Sequence, residues 1–159
     1  MKIYDCTTFY SEHMMLDVRF NILNEQVHKF IIVESLFSHS GEKKKLNFNI
    51  NNYSKFKDKI IYLVIEKEPE GIIYDRKSNH GQSVKRLNSL KRINQSYNYM
   101  LKGIESASSD DLILLSDNDE IPNLDSKKFI NNKNSIVLFN QLFIYFKFNL
   151  LYDKMLWPG

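Results

Sequence analysis

Apolar and polar positions alternate in two rhythms along this chain. Residues 2–8 form a short β-like run, and nearly unbroken apolar runs lie at residues 29–35 ("KFIIVES"), 59–65 ("KIIYLVI") and 112–116 ("LILLS"). Short runs with so few polar interruptions are typical of strands covered on both faces. Between them the spacing changes to three or four. After Ser11, the expected N-cap, the positions Met15, Val18, Ile22 and Leu23 predict one helical stripe. Over 83–105 the stripe Leu87, Leu90, Ile93, Tyr97, Leu101 and Ile104 predicts the longest helix, with Gly103 fraying its end. A polar loop is expected at 36–47, and a long polar connection holds Pro69, Gly71 and Gly81. Beyond the fourth strand the pattern predicts a short helix at 126–130 and strands at 135–139 and 142–148. Strands alternating with helices predict an α/β domain with a mostly parallel central sheet, over residues 1–159 as one unit.

In such sheets ligands bind outside the carboxyl ends of the strands. Polar residues stand at three of those ends: Thr7 and Thr8 after the first strand, Glu34 after the second, and Asp117, Asp119 and Glu120 after the fourth. The last group, in "DDLILLSDNDEIP", places three carboxylates within four residues, and their mutual repulsion is costly unless a positive charge answers it. A divalent cation is the simplest answer. Mg²⁺ and Mn²⁺ take oxygen ligands and commonly bind through one or two carboxylates plus substrate phosphates. An Asp-x-Asp pair leaving a strand can turn both side chains to one point, because alternate residues share a face. The competing reading is a turn with solvated aspartates, since Asn, Asp and Pro are common turn residues. The buried strand directly before the motif favours the ligand site.

Composition narrows the classes. With 159 residues, 43% apolar and 13% aromatic, the chain can build a core. A net charge of +3 argues against a dedicated nucleic-acid binder. The single basic run, Lys43-Lys44-Lys45, is read as a solvated loop or as a phosphate contact. The lone Cys6 permits no internal disulfide and is read as a small core residue. The start "MKIYDCTTF" lacks a signal-peptide core, and no run has transmembrane length. His13, His28, His39 and His80 show no metal-ligand spacing and read as surface residues. Glu12 and Arg19, seven apart, read as a structural polar pair on one helix face. Tyr145 and Trp157 could stack on a sugar, but a core or rim role is preferred.

The motif "SDNDEIP" resembles the "SDxDEIP" signature of glycosyltransferase family 17, the β-1,4-mannosyl-glycoprotein β-1,4-N-acetylglucosaminyltransferase family. The likeness extends to "YDCTTFYSEHMMLDVRFNIL", with Glu12, Leu16 and Arg19 at matching places. It continues in "VHKFIIVESLFSHSGEKK", with Glu34, Ser35, Gly41 and Lys44 or Lys45, and in "RLNSLKRINQ". It covers most of residues 3–147. The resemblance implies a GT-A-like nucleotide-sugar-binding α/β/α sandwich and an inverting transfer from a UDP-sugar, in keeping with N-acetylglucosamine. It implies Mn²⁺ or Mg²⁺ on Asp117 and Asp119, with Glu120 beside them in the catalytic set. Thr7, Thr8, Glu34, Arg92, Asn94 and Asp117 are the implied nucleotide-sugar contacts. Arg92 could instead pair with the acidic cluster for structure alone, and Asn94 could be an ordinary surface residue.

Asn118 stands where valine is more usual in the motif, and its side chain is expected to point away from a metal. Residues 1–122 correspond to the nucleotide-sugar part and 123–159 to the start of the acceptor part, so the acceptor half is expected to be short or truncated. No general base is assigned; Glu120, Asp125 and Asp153 are the acidic residues available at or after the motif. The expected partners are a UDP-sugar and a glycan, polysaccharide or lipid-linked acceptor. The expected location is cytoplasmic, or peripheral at the inner face of a membrane. Two other functions remain open. One is a non-catalytic nucleotide-sugar- or glycan-binding module. The other is a haloacid-dehalogenase-like phosphatase with Asp117 as nucleophile and Asp119 as acid/base.

Overall fold

The computed structural model describes residues 1–74, 81–125, 136–144 and 150–158. Four strands form the central sheet: β1 (Ile3–Thr8), β2 (Lys29–Ser35), β3 (Ile60–Ile65) and β4 (Leu112–Leu115). All pair in parallel, in the order β3-β2-β1-β4. Helix α1 (His13–Leu23) and a 3₁₀ segment (Ile50–Lys59) cover one face; α2 (Gly81–Met100) and a 3₁₀ turn (Leu101–Gly103) cover the other. The mostly parallel α/β class expected from the alternating pattern, and the α/β/α layering that the resemblance implies, are therefore what form. Among the described residues no helix is long and apolar enough to cross a membrane.

Two apolar layers sandwich the sheet. Under α1 lie Leu16, Phe20, Leu23, Phe30, Ile32, Phe48, Tyr53 and Phe56. Under α2 lie Tyr4, Cys6, Ile31, Val33, Ile65 and Met100. The alternation of Phe30 and Ile32 against Ile31 and Val33 shows why β2 reads as an unbroken apolar run: both of its faces are buried. Strands β2 and β3 extend the sheet to one side of β1, and β4 lies on the other. The connections reverse direction between β1 and β4, and that crevice is where this class of sheet binds ligands.

Several expectations fail in detail. The stripe of α1 is Leu16, Arg19, Phe20 and Leu23, whereas Val18 and Ile22 face outward. Ser11 makes no cap. Glu12 precedes the helix, and its carboxylate accepts the N–H groups of Tyr10 (2.9 Å) and Ser11 (3.0 Å). Helix α2 begins at Gly81 rather than 83, and it buries Asn88, Arg92, Ser96 and Met100. Leu87 and Leu90 are 50% and 45% exposed. The middle of α2 passes beside loop segments whose backbone groups need partners. Asn88 accepts Ile73 N–H and donates to Ile73 O, and Arg92 donates to His39 O. Gly103 does not fray the helix end. It packs on Ile31, where an added Cβ would sit 2.6 Å from Cγ2.

Residues 136–139 are not a strand. β5 is Asn140–Ile144, and it pairs antiparallel with β6 (Leu151–Pro158), which the apolar pattern does not predict. The short helix expected at 126–130, the remainder of the 142–148 strand, Tyr145 and His80 fall outside the described residues.

Candidate active site

The loop after β4 is held from below by Arg19, a fully buried side chain at the centre of α1. Its Nε and Nη2 donate to both oxygens of Asp5, also fully buried, at 2.8 and 2.7 Å. Nη2 also donates to Ser116 Oγ at 2.7 Å. Nη1 faces three loop carbonyls, those of Asp117 (2.8 Å), Asn118 (3.3 Å) and Glu120 (3.0 Å). Every guanidinium N–H thus has an acceptor. The predicted Glu12–Arg19 pair is corrected: Arg19 pairs with Asp5, because its side chain points under the sheet end rather than along the helix.

With the carbonyls drawn inward, Asp117, Asn118 and Asp119 line a cleft of about 560 Å³. Its walls come from the end of β1 (Thr8, Phe9, Tyr10), from β2 and the following loop (Ser35, Phe37, His39), and from α2 (Arg92, Ser96). Asp117 accepts Tyr97 O–H at 3.3 Å, and Glu120 Oε2 accepts Asp117 N–H at 3.2 Å. Partial desolvation, then the charges of Glu120 and Asp119, push the Asp117 carboxyl above the ordinary aspartate value. The same neighbourhood raises Tyr97: burial first, then the charge of Asp117. Among the described residues, neither Asp117 nor Asp119 has a salt-bridge partner. The repulsion anticipated within "DNDE" is therefore left standing, and the cleft presents unanswered negative charge.

The other implied contacts divide. Thr8 and Arg92 line the cleft. Arg92 does not pair with the acidic loop; its Nε and Nη2 grip Glu68 at 2.7 and 2.9 Å. Gly41, at φ +92°, passes so close to Arg92 that any side chain there would displace the guanidinium. Thr7 is fully buried beneath the cleft, and its hydroxyl turns to Thr8 O (3.4 Å). Asn94 is exposed on α2 and away from the cleft lining, so the structure gives it the surface place.

Glu34, the expected nucleoside contact, does not line the cleft. It is fully buried, and its oxygens accept Lys44 Nζ (2.5 Å), Asn47 N–H (2.8 Å), Phe48 N–H (3.0 Å) and Tyr62 O–H (2.7 Å). It anchors the loop that forms one cleft wall. That anchoring also explains Lys44, the one lysine of the basic run in the cleft lining; its ammonium lies 5.0 Å from the centre of the Tyr10 ring.

Sequence reasoning missed Tyr10, His39, Ser96 and Tyr97 as cleft neighbours. Tyr97 was noticed only as part of an apolar stripe, and His39 only as a surface histidine. Their approach depends on loops meeting across the sheet, which leaves no local signal. Cys6 is buried and its thiol is pushed up to about 12, chiefly by burial, in keeping with a core role. The hairpin touches the acidic loop through Trp157, whose Nε1 donates to Glu120 Oε1 at 2.5 Å.

Among the described residues no group of three or more His, Cys, Asp or Glu side chains is arranged to hold an ion. The donor set fits a cation shared with a ligand, since two hard carboxylates leave most positions of a Mg²⁺- or Mn²⁺-like ion for phosphate and water. No curated protein and no solved structure matches the chain. The model of glycosyltransferase family 17 matches residues 1–158. With a match over essentially its whole length, joined to an acidic cleft at the switch point of a parallel sheet, the chain belongs to glycosyltransferase family 17.

Proposed function

We propose that the protein is a metal-dependent inverting glycosyltransferase that moves a sugar, N-acetylglucosamine in our reading, from a UDP-sugar to a glycan hydroxyl. The observation that carries this is the uncompensated Asp117–Asp119 pair at the carboxyl end of β4, facing a cleft large enough for part of a nucleotide sugar. Family membership supports glycosyl transfer; the donor, the metal and the acceptor are the proposal. Asp117 and Asp119 would hold Mn²⁺ or Mg²⁺ together with the donor's diphosphate. When bound, that ion supplies Lewis-acid neutralisation of the departing diphosphate.

The chain's own residues would do the rest. Thr8 and the backbone after β1 would bound the donor on one side, and Arg92 and Ser96 on the other. Glu120 would sit at the rim, between the acidic loop and the hairpin. In an inverting reaction the acceptor oxygen attacks the anomeric carbon from the face opposite the leaving diphosphate. The acceptor's proton then passes to a base, and the donor C–O electron pair stays with the diphosphate. Acceptors with exposed hydroxyls, whether free glycans, polysaccharides or lipid-linked sugars, fit this chemistry.

The test is calorimetric titration of UDP and UDP-N-acetylglucosamine, with and without Mn²⁺, on the wild type and on Asp119→Ala. Metal-dependent UDP binding that Asp119→Ala abolishes is the expected result. Absence of UDP binding in both metal conditions would overturn the donor-site reading. Binding without any release of sugar or UDP over long incubation would favour a binding module instead.

A further inference from the structure

We infer that Arg19 is a positioning residue for the Asp117–Asp119 pair, and that Asp5 serves to make this anchor electrically neutral. The inference rests on the donor-site reading above and goes beyond it, because Arg19 lies beneath the loop and does not line the cleft.

Three observations carry it. First, the loop's own bonds are few. Glu120 N–H reaches Asp117 O at 3.1 Å, Asp117 N–H reaches Glu120 Oε2 at 3.2 Å, and Ser116 O–H reaches Glu120 O at 2.9 Å. Against them stands the repulsion of three neighbouring carboxylates, which splaying of the loop would relieve. The convergence of three carbonyls on Arg19 Nη1 opposes that relaxation and keeps the carboxylates turned outward.

Second, the geometry requires a fork. A lysine ammonium has three donors at one point, whereas Arg19 reaches Asp5, Ser116 and the loop carbonyls from three separate nitrogens. Third, stability alone does not call for the pair, since apolar residues of similar volume often replace a buried ion pair with no loss. A lone buried guanidinium would offer the acidic loop the positive charge it lacks, and so weaken its attraction for an outside cation. Asp5, bidentate on the same guanidinium, cancels that charge. The loop is thereby positioned without being neutralised.

The test uses Mn²⁺ and UDP as probes on the whole chain, comparing wild type, Arg19→Lys and Ser116→Ala. Folding of each variant is checked by circular-dichroism melting. The quantity read is the factor by which Mn²⁺ tightens UDP binding. In Arg19→Lys that factor should fall about 10–100-fold, the usual effect of removing a group that orients a metal's ligands. The affinity for UDP without metal should be unchanged, which a general loosening of the fold would not allow. Ser116→Ala removes the hydroxyl between Nη2 and Glu120 O without stranding a charge, and should lower the factor by less.

An undiminished factor in folded Arg19→Lys overturns the inference, as does an equal loss of metal-free UDP affinity. If Arg19→Lys does not fold, an undiminished factor in Ser116→Ala overturns it. If the wild type itself shows no Mn²⁺-dependent UDP binding, the donor-site reading fails instead, and the two failures are distinct.

Discussion

Replacing Glu34 by glutamine should cost the protein about 3–5 kcal/mol, the usual cost of breaking a buried ion pair from one side. The carboxylate is fully buried and accepts from four donors. Glutamine keeps one acceptor oxygen and puts an N–H₂ group where the other was. With that group at the Oε1 place, it would face Lys44 Nζ and Asn47 N–H, two donors that cannot reverse. With it at Oε2, Tyr62 could turn its hydroxyl to accept, but Phe48 N–H would lose its partner at about 1–3 kcal/mol. In either orientation the Lys44 ammonium, 11% exposed, loses its counter-charge.

For a domain of about this length each kcal/mol shifts the midpoint by about 2–4 °C, so a fall of roughly 6–20 °C is expected. Urea denaturation and thermal melting, with and without saturating UDP, measure it. Metal-dependent UDP affinity, read well below the variant's midpoint, should change little. A variant that melts within about 2 °C of the wild type, which is under about 1 kcal/mol, and loses UDP affinity would refute the reasoning. It would return Glu34 to the donor site.

Four further outcomes follow from the structure. Asp117, whose pKa is raised, favours the folded state in acid and loses that contribution as pH rises through the raised value. Asp117→Asn should therefore melt higher than wild type at neutral pH without metal, with the gap closing below the ordinary aspartate range; a lower neutral melting point contradicts this. For the same reason Mn²⁺-dependent UDP binding by the wild type should weaken on acidification at a higher pH than an ordinary aspartate would give. Asn118 is buried, and among the described residues its Oδ1 has no partner and its Nδ2 reaches only Glu12 O, at 3.5 Å. Asn118→Val should gain about 1–2 kcal/mol in urea denaturation by removing an unsatisfied buried group, and a loss would show that the amide is satisfied after all. Gly103→Ala should cost about 1–3 kcal/mol, because its Cβ would meet Ile31 at 2.6 and 2.7 Å; an unchanged denaturation midpoint would mean the turn yields freely.

Expectation and structure agree where the signal is local. The run "KFIIVES" is apolar because the two layers of helix bury both faces of β2, and that pattern can be read one residue at a time. "KIIYLVI" is mostly half-buried, and in "LILLS" Leu114 is buried while Ile113 and Leu115 are exposed, so the expectation of a strand covered on both faces fails for β4. The acidic motif is legible for a similar reason: it follows directly on an apolar strand, of which Leu114 is buried. Helix α2 shows where such reading stops. Its leucines at 87 and 90 set the apparent stripe, yet Asn88, Arg92 and Ser96 face the fold. Periodicity records which side chains dislike water, not which polar ones find partners away from it. The carbonyls of Ile73 and His39 that turn Asn88 and Arg92 inward lie 15 and 53 residues away.

The sequence by itself determined the class of sheet, the placing of three carboxylates at a strand end, and the likeness to a glycosyltransferase family. Those properties reside in single segments and their order. Only the tertiary structure decided that Arg19 belongs to Asp5 and the acidic loop, and that Glu34 is consumed in anchoring a wall. It likewise set Arg92 in the cleft and Asn94 outside it. Each of these turns on a polar group meeting a partner from a distant segment. A charged side chain is buried only when such partners replace its water, and where they stand is a property of the folded chain.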